Sequence, residues 1–220
     1  EGADPVMKGR TRSEVSNVAQ IMQYGVEVSY TKQAAVGNIA GESIIGNQPV
    51  QDELAFQLDM AMKTAARDIE HSFIQGAYNA GANITTPRKT RGMLAAVSTN
   101  EVAGGAAALT QAKVESALKK MADSGAPFEM PVIFANAFQK QKLSSIYSSA
   151  LALAPRDRTV GRVNITTIET DFGQVGIVFE RHIPADDVLI ADLAFMKPVF
   201  LDIPGKGHFF VEPLAQTGAA

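Results

Sequence analysis

The chain has 220 residues, of which 46% are hydrophobic and 20% charged, the composition of a globular protein long enough to bury a core. The net charge of −3 shows no basic excess of the kind that marks nucleic-acid-binding proteins, and the lack of cysteine excludes disulfides, thiolate metal sites and cysteine nucleophiles. No apolar run approaches the ~18–20 residues of a membrane helix, so no membrane partner is expected.

The first third of the chain is polar and extended. Apolar and polar residues alternate over residues 26–31, which predicts a half-buried strand. Gly37, Gly41 and Gly46, followed by Pro49, then predict a loop. A segment with so few large apolar residues needs a partner, which is either the rest of the chain or another subunit.

The periodicity then becomes helical and predicts one continuous helix over residues 51–76, with neither Gly nor Pro before Gly76. At 1.5 Å per residue such a helix would be roughly 35 Å long. The outer face carries charged residues spaced for i,i+4 and i,i+3 pairs, namely Asp59, Lys63, Arg67 and Glu70. The expected buried stripe consists of Leu54, Leu58, Met62, Ala65, Ile69 and Phe73.

Turns and a second helix follow in the middle of the chain. Residues 86–89 predict a turn, residues 92–94 a short apolar piece, and residues 104–108 a loop of small residues. Thr110 is expected to cap a helix that ends at Gly125. The buried stripe of this helix would be Val114, Leu118 and Met121.

The remainder of the chain is predicted to contain one more helix and several strands. Residues 131–135 are fully apolar, which favours a central strand. Asn136 and Gln139 resemble a capping pair that opens a third helix to about Ser149. Beyond Pro155 we expect strands at residues 162–166, 175–179, 188–190, 199–201 and 209–211, with a turn at 171–173. Helices early and strands late predict an α+β fold.

Two histidines carry little evidence of a chemical site. His71 lies three residues after Asp68 on the predicted helix, a spacing that could serve a metal. A solvated pair on a helix face is much more common, and we expect that here. His208 is far from the other histidines in the sequence.

His182 is the stronger candidate for chemistry. It follows Glu180 near a predicted strand end, and Asp186 and Asp187 come just after it. An acid–base cluster could be built from these residues, although a charged loop has the same composition.

Three weaker signals have ordinary explanations. Gly205-Lys206-Gly207 lacks the remainder of a phosphate-binding motif, so a β-turn is expected. The helix start at Asn136 could hold an anion, but capping alone explains it. The basic residues Arg88, Lys89 and Arg91 are expected to be exposed loop charge, with contact to a neighbouring subunit or to DNA phosphate as the alternative. The sequence therefore predicts no catalytic residue, no metal ligand and no cofactor.

Three groups of short sequence motifs, spread over nearly the whole chain, resemble those of a known protein family. The first is Glu1-Gly2-Ala3-Asp4, then Arg10-Thr11-Arg12 and Ser16-Asn17-Val18-Ala19-Gln20-Ile21. The second is Glu53-Leu54-Ala55-Phe56-Gln57-Leu58 running to Arg67-Asp68-Ile69-Glu70, with Thr86-Pro87-Arg88-Lys89 downstream. The third is Phe138-Gln139-Lys140-Gln141-Lys142-Leu143, then Glu169-Thr170-Asp171-Phe172-Gly173 and Asp187-Val188-Leu189-Ile190. In this order and spacing the motifs resemble those of the major capsid proteins of tailed phages with the Hong Kong 97-type fold.

The resemblance implies a division into domains. Residues 1–50 would be an extended hairpin that reaches over a neighbouring subunit, and residues 51–104 the spine helix and loop of a peripheral domain. Residues 105–203 would be an axial domain, and residues 204–220 would return to the peripheral domain. Family members usually continue beyond both ends of this sequence, so the first and last segments are expected to be incomplete.

The resemblance also implies a function. The chain would be a major capsid (head) protein, not an enzyme, that self-assembles into an icosahedral shell around the double-stranded DNA of a phage or prophage. Its partners would be other copies of itself in hexamers and pentamers, DNA bound without sequence specificity, and portal and scaffolding proteins. It would be found in the virion, and in the host cytoplasm during assembly. Two alternatives stay open: an encapsulin-like cellular nanocompartment shell of the same fold, and an unrelated hydrolytic enzyme using His182, Asp186 and Asp187.

Overall fold

The computed structural model describes residue 9 and residues 11–12, 14–29, 53–150 and 166–214. The predicted glycine-rich loop from Gly37 to Pro49 lies outside the described residues, as does most of the predicted strand at 162–166.

Four α-helices are present in the described part of the chain, and the three longer ones follow the predicted helical segments closely. Helix α1 spans Glu53–Gln75, and the very short α2 spans Met93–Ala96. Helix α3 spans Gln111–Asp123 and α4 spans Ala137–Ala150. The predicted long helix is confirmed, because 23 residues without Gly or Pro form one uninterrupted element.

The ends of the later helices follow local sequence signals. Gly125 adopts a φ of +82°, the left-handed conformation that ends α3 as predicted. The backbone N–H of Gln139 donates to Oδ1 of Asn136 at 2.8 Å, which confirms the predicted cap of α4. Thr110 stands at the N-cap of α3 but makes no side-chain cap hydrogen bond.

A four-stranded mixed sheet lies at the centre of the later half. Its strands are β1 at Pro131–Ala135, β2 at Thr167–Thr170, β3 at Gly173–Phe179 and β4 at Val188–Asp192, in the order β2-β3-β1-β4. Strand β1 runs parallel to β3 and antiparallel to β4, so its predicted central position is confirmed. Strands β2 and β3 form an antiparallel hairpin. Helices together with a small sheet confirm the α+β class.

The two faces of the sheet carry two apolar clusters, because side chains alternate along each strand. On one face, α3 and α4 pack against the sheet in a cluster of Val114, Leu118, Ile133, Ala135, Leu143, Tyr147, Ile168, Val175 and Ile177. On the other, the last turn of α1 contributes Ile74 to a smaller cluster with Ile183 and Leu189. The sheet therefore connects the bundle of α3 and α4 to the end of α1.

The predicted burial of the α1 stripe is only partly correct. Ala65 is buried, but Leu54 is 44% exposed and Met62 is 41% exposed. Leu58, Ile69 and Phe73 are half-buried. Among the described residues, the smaller cluster includes α1 only through Ile74, near the C-terminal end of the helix, so most of the predicted stripe is half-buried or exposed.

Three predicted strands are wrong in the described residues. Residues 26–29, 199–201 and 209–211 do not belong to any strand. Val199 is 83% exposed and Leu201 68% exposed. An alternating or apolar pattern indicates strand propensity, but a strand forms only where a partner edge is available.

Candidate functional site

Acidic and histidine side chains meet where the end of α1 approaches the loop between β3 and β4. Glu70 and His71 lie on α1, whereas Glu180 and His182 lie in the loop. Nδ1 of His182 is 3.0 Å from Oε1 of Glu180 and 3.5 Å from Oε2 of Glu70. We call Glu70, Glu180 and His182 the junction triad.

The loop is held in place around this triad by hydrogen bonds. The backbone N–H of Glu180 donates to the carbonyl of Ala135 at 2.9 Å, which continues the pairing of β3 with β1. The backbone N–H of His182 donates to Oε1 of Glu180 at 2.8 Å. Nε2 of Gln75, the last residue of α1, donates to the carbonyl of His182. Helix and loop are thus fixed to each other next to the three side chains.

The carboxyl group of Glu180 lies close to Glu70 and affects its pKa. Burial, and after it hydrogen bonding to Glu180 and the charge of Glu180, raises the pKa of Glu70 above its usual value. His182 and Arg181 act in the opposite direction, since their positive charges favour the ionised carboxylate. Glu180 itself is buried, with 8% of its surface exposed.

In the structure, His71 and His182 have other neighbours than the acidic residues expected from the sequence. Asp68 accepts a hydrogen bond from the hydroxyl of Tyr24 at 2.6 Å, while the ring of His71 meets that of His182 edge-on at 5.6 Å between centroids. Neither Asp186 nor Asp187 forms an ion pair or side-chain hydrogen bond with His182 within the described residues; Glu70 and Glu180 occupy that role.

The triad was missed because its parts lie far apart in the sequence. Glu70 was expected to pair along α1 on a solvated face, as Asp59 and Lys63 do at 2.6 Å. Instead it faces the loop of His182. The one local signal was the close succession of Glu180 and His182.

The other candidate positions have structural roles. Gly205 and Gly207 have φ values of +79° and +77°, and Ile203 pairs with Gly207 across the turn, which confirms the predicted β-turn. Nδ1 of His208 lies 3.2 Å from Oδ1 of Asp202, and both side chains are exposed. The cap of α4 is filled by the Asn136 side chain, so capping explains that helix start.

The N-terminal segment lies against the loop that carries the predicted basic patch. Oδ1 of Asn17 accepts from the backbone N–H of Arg91 at 2.8 Å, and Oγ1 of Thr90 donates to the carbonyl of Val18 at 2.8 Å. Arg88 and Lys89 remain exposed. Side-chain to backbone bonds, rather than a strand ladder, hold residues 14–29 here.

A large apolar surface lies on the last described segment. We call residues 199–214 the C-terminal apolar strip, because it exposes Val199, Phe200, Leu201, Ile203, Phe209, Phe210, Val211 and Leu214. Exposure of many large apolar side chains within a short segment is typical of protein–protein or membrane contact sites. None of the helices in the described part of the chain has the length and apolarity to cross a membrane.

Comparison with known proteins indicates a structural role for the chain rather than an enzymatic one. No curated protein matches the chain significantly. The family model of the SU10 major capsid protein matches residues 1–220. Such proteins are structural components of the phage particle and not enzymes. Because the match covers the entire sequence, the chain belongs to the SU10 major capsid protein family of phage shell proteins.

Proposed function

We propose that the chain is the shell-forming subunit of an icosahedral phage or prophage head that encloses double-stranded DNA, and that it has the Hong Kong 97-type fold. Membership of a major capsid protein family supports assembly into a shell and a place in the virion. The proposed function needs no catalytic residue and no organic cofactor.

The observation that carries the proposal is the C-terminal apolar strip. Leu214 is 86% exposed, and the strip presents several other large side chains to solvent in the single chain. At ~25 cal/mol per Å², covering such a surface is strongly favourable. Repeated contacts between copies of a subunit would cover it, and such contacts at fixed angles generate a closed shell.

The same geometry supports the proposed domains. Helix α1 would be the spine of a peripheral domain at residues 51–104, and the sheet with α3 and α4 would form the axial domain at residues 105–203. Residues 1–50 would be the extended hairpin, and residues 204–220 the return to the peripheral domain. Residues 14–29 belong to no strand and are held by side-chain hydrogen bonds, which is consistent with a segment that completes its pairing on a neighbouring subunit.

DNA, portal and scaffolding proteins are proposed as further partners. Arg88 and Lys89 are exposed and could contact phosphates. A net charge of −3 argues against tight binding, so packaged DNA would be held without sequence specificity. Portal and scaffolding proteins are proposed from the resemblance to tailed-phage capsid proteins.

Electron cryomicroscopy of particles from host cells that produce the complete gene product tests the proposal. We expect closed shells with pentamers at the five-fold positions and hexamers elsewhere. Nuclease treatment before extraction should leave double-stranded DNA protected inside particles from phage-producing cells.

Two results would argue against the proposal in different ways. Particles filled with a cargo enzyme and without DNA would favour the encapsulin-like alternative. A small soluble species under all conditions, in cells that also supply the other head proteins, would remove the shell function itself.

A further inference from the structure

We propose that the junction triad of Glu70, Glu180 and His182 binds one divalent transition-metal ion of the zinc type, which fastens α1 to the β3–β4 loop. The inference does not rest on the proposed shell function. It opposes the expectation, drawn from the sequence, that the protein has no metal ligand.

The geometry fits a single ion. One ligand atom from each of the three residues lies within 4.8 Å of the other two. Zinc bonds to imidazole nitrogen and carboxylate oxygen at ~2.0–2.2 Å, so two ligand atoms at a tetrahedral angle lie ~3.4 Å apart. The separations of His182 Nδ1 from the oxygens of Glu180 and Glu70, 3.0 Å and 3.5 Å, are close to that value.

The donor set has the composition that zinc prefers. One imidazole and two carboxylates provide three protein ligands and leave a position for water. Glu180 is almost fully buried, and a buried carboxylate is stable only with strong compensation. The backbone N–H of His182 donates to Oε1 of Glu180 and provides part of it, and Nδ1 of His182 lies 3.0 Å from the same oxygen.

The charges around the triad favour a cation. The ligand oxygens of Glu70 and Glu180 lie within 4.8 Å of each other, and two ionised carboxylates at that separation repel. A divalent ion between the two oxygens would replace this repulsion by attraction.

The three proposed ligands come from α1 and the β3–β4 loop, which are already in contact. Glu70 lies between one and two turns before the end of α1, where Gln75 bonds to the His182 carbonyl. Beneath the triad, Ile74 packs with Ile183 in the smaller apolar cluster. Binding would therefore require little rearrangement, and it would link the long helix to the sheet through bonds stronger than the apolar contacts.

Isothermal titration calorimetry of the full chain with Zn²⁺, after removal of metals by a chelator, tests the proposal. We expect one ion bound per chain, a raised melting temperature, and visible absorption bands of ligand-bound Co²⁺ when cobalt replaces zinc. Glu70→Gln and His182→Gln should each weaken zinc binding at least tenfold and reduce the cobalt bands.

His208→Gln is the matched control, because His208 also faces a carboxylate, Asp202, in an exposed pair, and among the residues that the structure describes no third ligand joins them. It should leave zinc affinity and the cobalt spectrum unchanged. Glu70 has a half-exposed side chain, so Glu70→Gln should keep the fold, and far-ultraviolet circular dichroism of the metal-free protein checks this. Absence of stoichiometric binding, or equal binding by wild type and the folded Glu70→Gln protein, would overturn the proposal.

Discussion

At the scale of single residues, two backbone segments approach each other closely at a pair of glycines. The chain that leaves α1 returns beside it, and the N–H of Gly92 donates to the carbonyl of Gly76 at 2.7 Å. A Cβ on Gly92 would lie only 2.7 Å from the carbonyl oxygen of Ile74, which real Cβ atoms essentially never do. Gly92 is thus required by space, since its φ of −76° suits any residue.

We therefore predict that Gly92→Ala destabilises the protein by about 1–3 kcal/mol, the usual effect of overpacking against a rigid neighbour. Gly104→Ala is the control, because nothing lies within 4 Å of a Cβ placed there. It should leave the free energy of unfolding within about 1 kcal/mol of wild type. Urea denaturation compares the free energies of unfolding of the two variants. Equal midpoints would contradict the close contact of Gly92 with the backbone at the end of α1.

A buried hydroxyl gives a second prediction at this scale. Tyr147 is buried, and its hydroxyl finds no hydrogen-bond partner among the described residues. Since an unsatisfied buried polar group costs about 1–3 kcal/mol, Tyr147→Phe should keep or raise the free energy of unfolding. Tyr24→Phe should lower it slightly, because that hydroxyl donates to Asp68. Thermal unfolding distinguishes the two, and a clear loss in Tyr147→Phe would mean that its hydroxyl is bonded.

Tyr24 also predicts a pH dependence. Burial, followed by the hydrogen bond to Asp68 and the charge of Asp68, raises the pKa of Tyr24 to about 12. The folded-state pKa lies above the ordinary tyrosine value of 10.0, so the stabilising effect is complete below pH 10 and is lost as the pH rises through about 12. Ultraviolet titration should show two tyrosines ionising late, because burial and the charge of Glu115 also raise the pKa of Tyr147. In Asp68→Asn the pKa of Tyr24 should fall while that of Tyr147 stays raised, and an unchanged titration would exclude the contact between Tyr24 and Asp68.

At the scale of elements, burial differs sharply between two helices with similar apolar stripes. Leu118 on α3 is fully buried against the sheet, whereas Met62 on α1 is 41% exposed. Leu118→Ala should therefore cost about 2–5 kcal/mol. Met62→Ala should cost less than about 1 kcal/mol in the unassembled chain. Chemical denaturation measures both, and a large loss in Met62→Ala would show that α1 is covered along its length.

The elements also show what a sequence can predict here. Helices α1, α3 and α4 and the strands β1, β3 and β4 follow local signals, such as the cap at Asn136 or the apolar run that begins at Pro131. The strands expected at 199–201 and 209–211 have the right composition but no partner edge within the described residues. The junction triad could not be predicted, because nothing in the local sequence of Glu70 indicates that α1 meets the loop of His182.

At the scale of the whole molecule, exposed apolar side chains on the C-terminal apolar strip distinguish the surface from that of a typical monomer. Phe200 stacks on His208 at 4.8 Å between ring centroids and meets Phe73 at 6.3 Å. One end of the strip is thus anchored on α1, while Val199 and Leu201 point outward. An anchored strip with an apolar outer side is suited to contact another subunit.

The final prediction separates folding from assembly on this strip. Leu201→Glu in the complete gene product should leave the melting temperature of the unassembled subunit almost unchanged, because Leu201 is 68% exposed there. The same change should reduce the yield of shells strongly, since a charge buried without a partner at a subunit interface costs several kcal/mol and is repeated at every copy. Leu201→Met keeps the apolar contact and should assemble normally. Sedimentation velocity compares the three proteins. Shells formed in wild-type yield by Leu201→Glu would show that this strip stays outside the subunit contacts, whereas loss of folding in Leu201→Glu would show that Leu201 belongs to the subunit core.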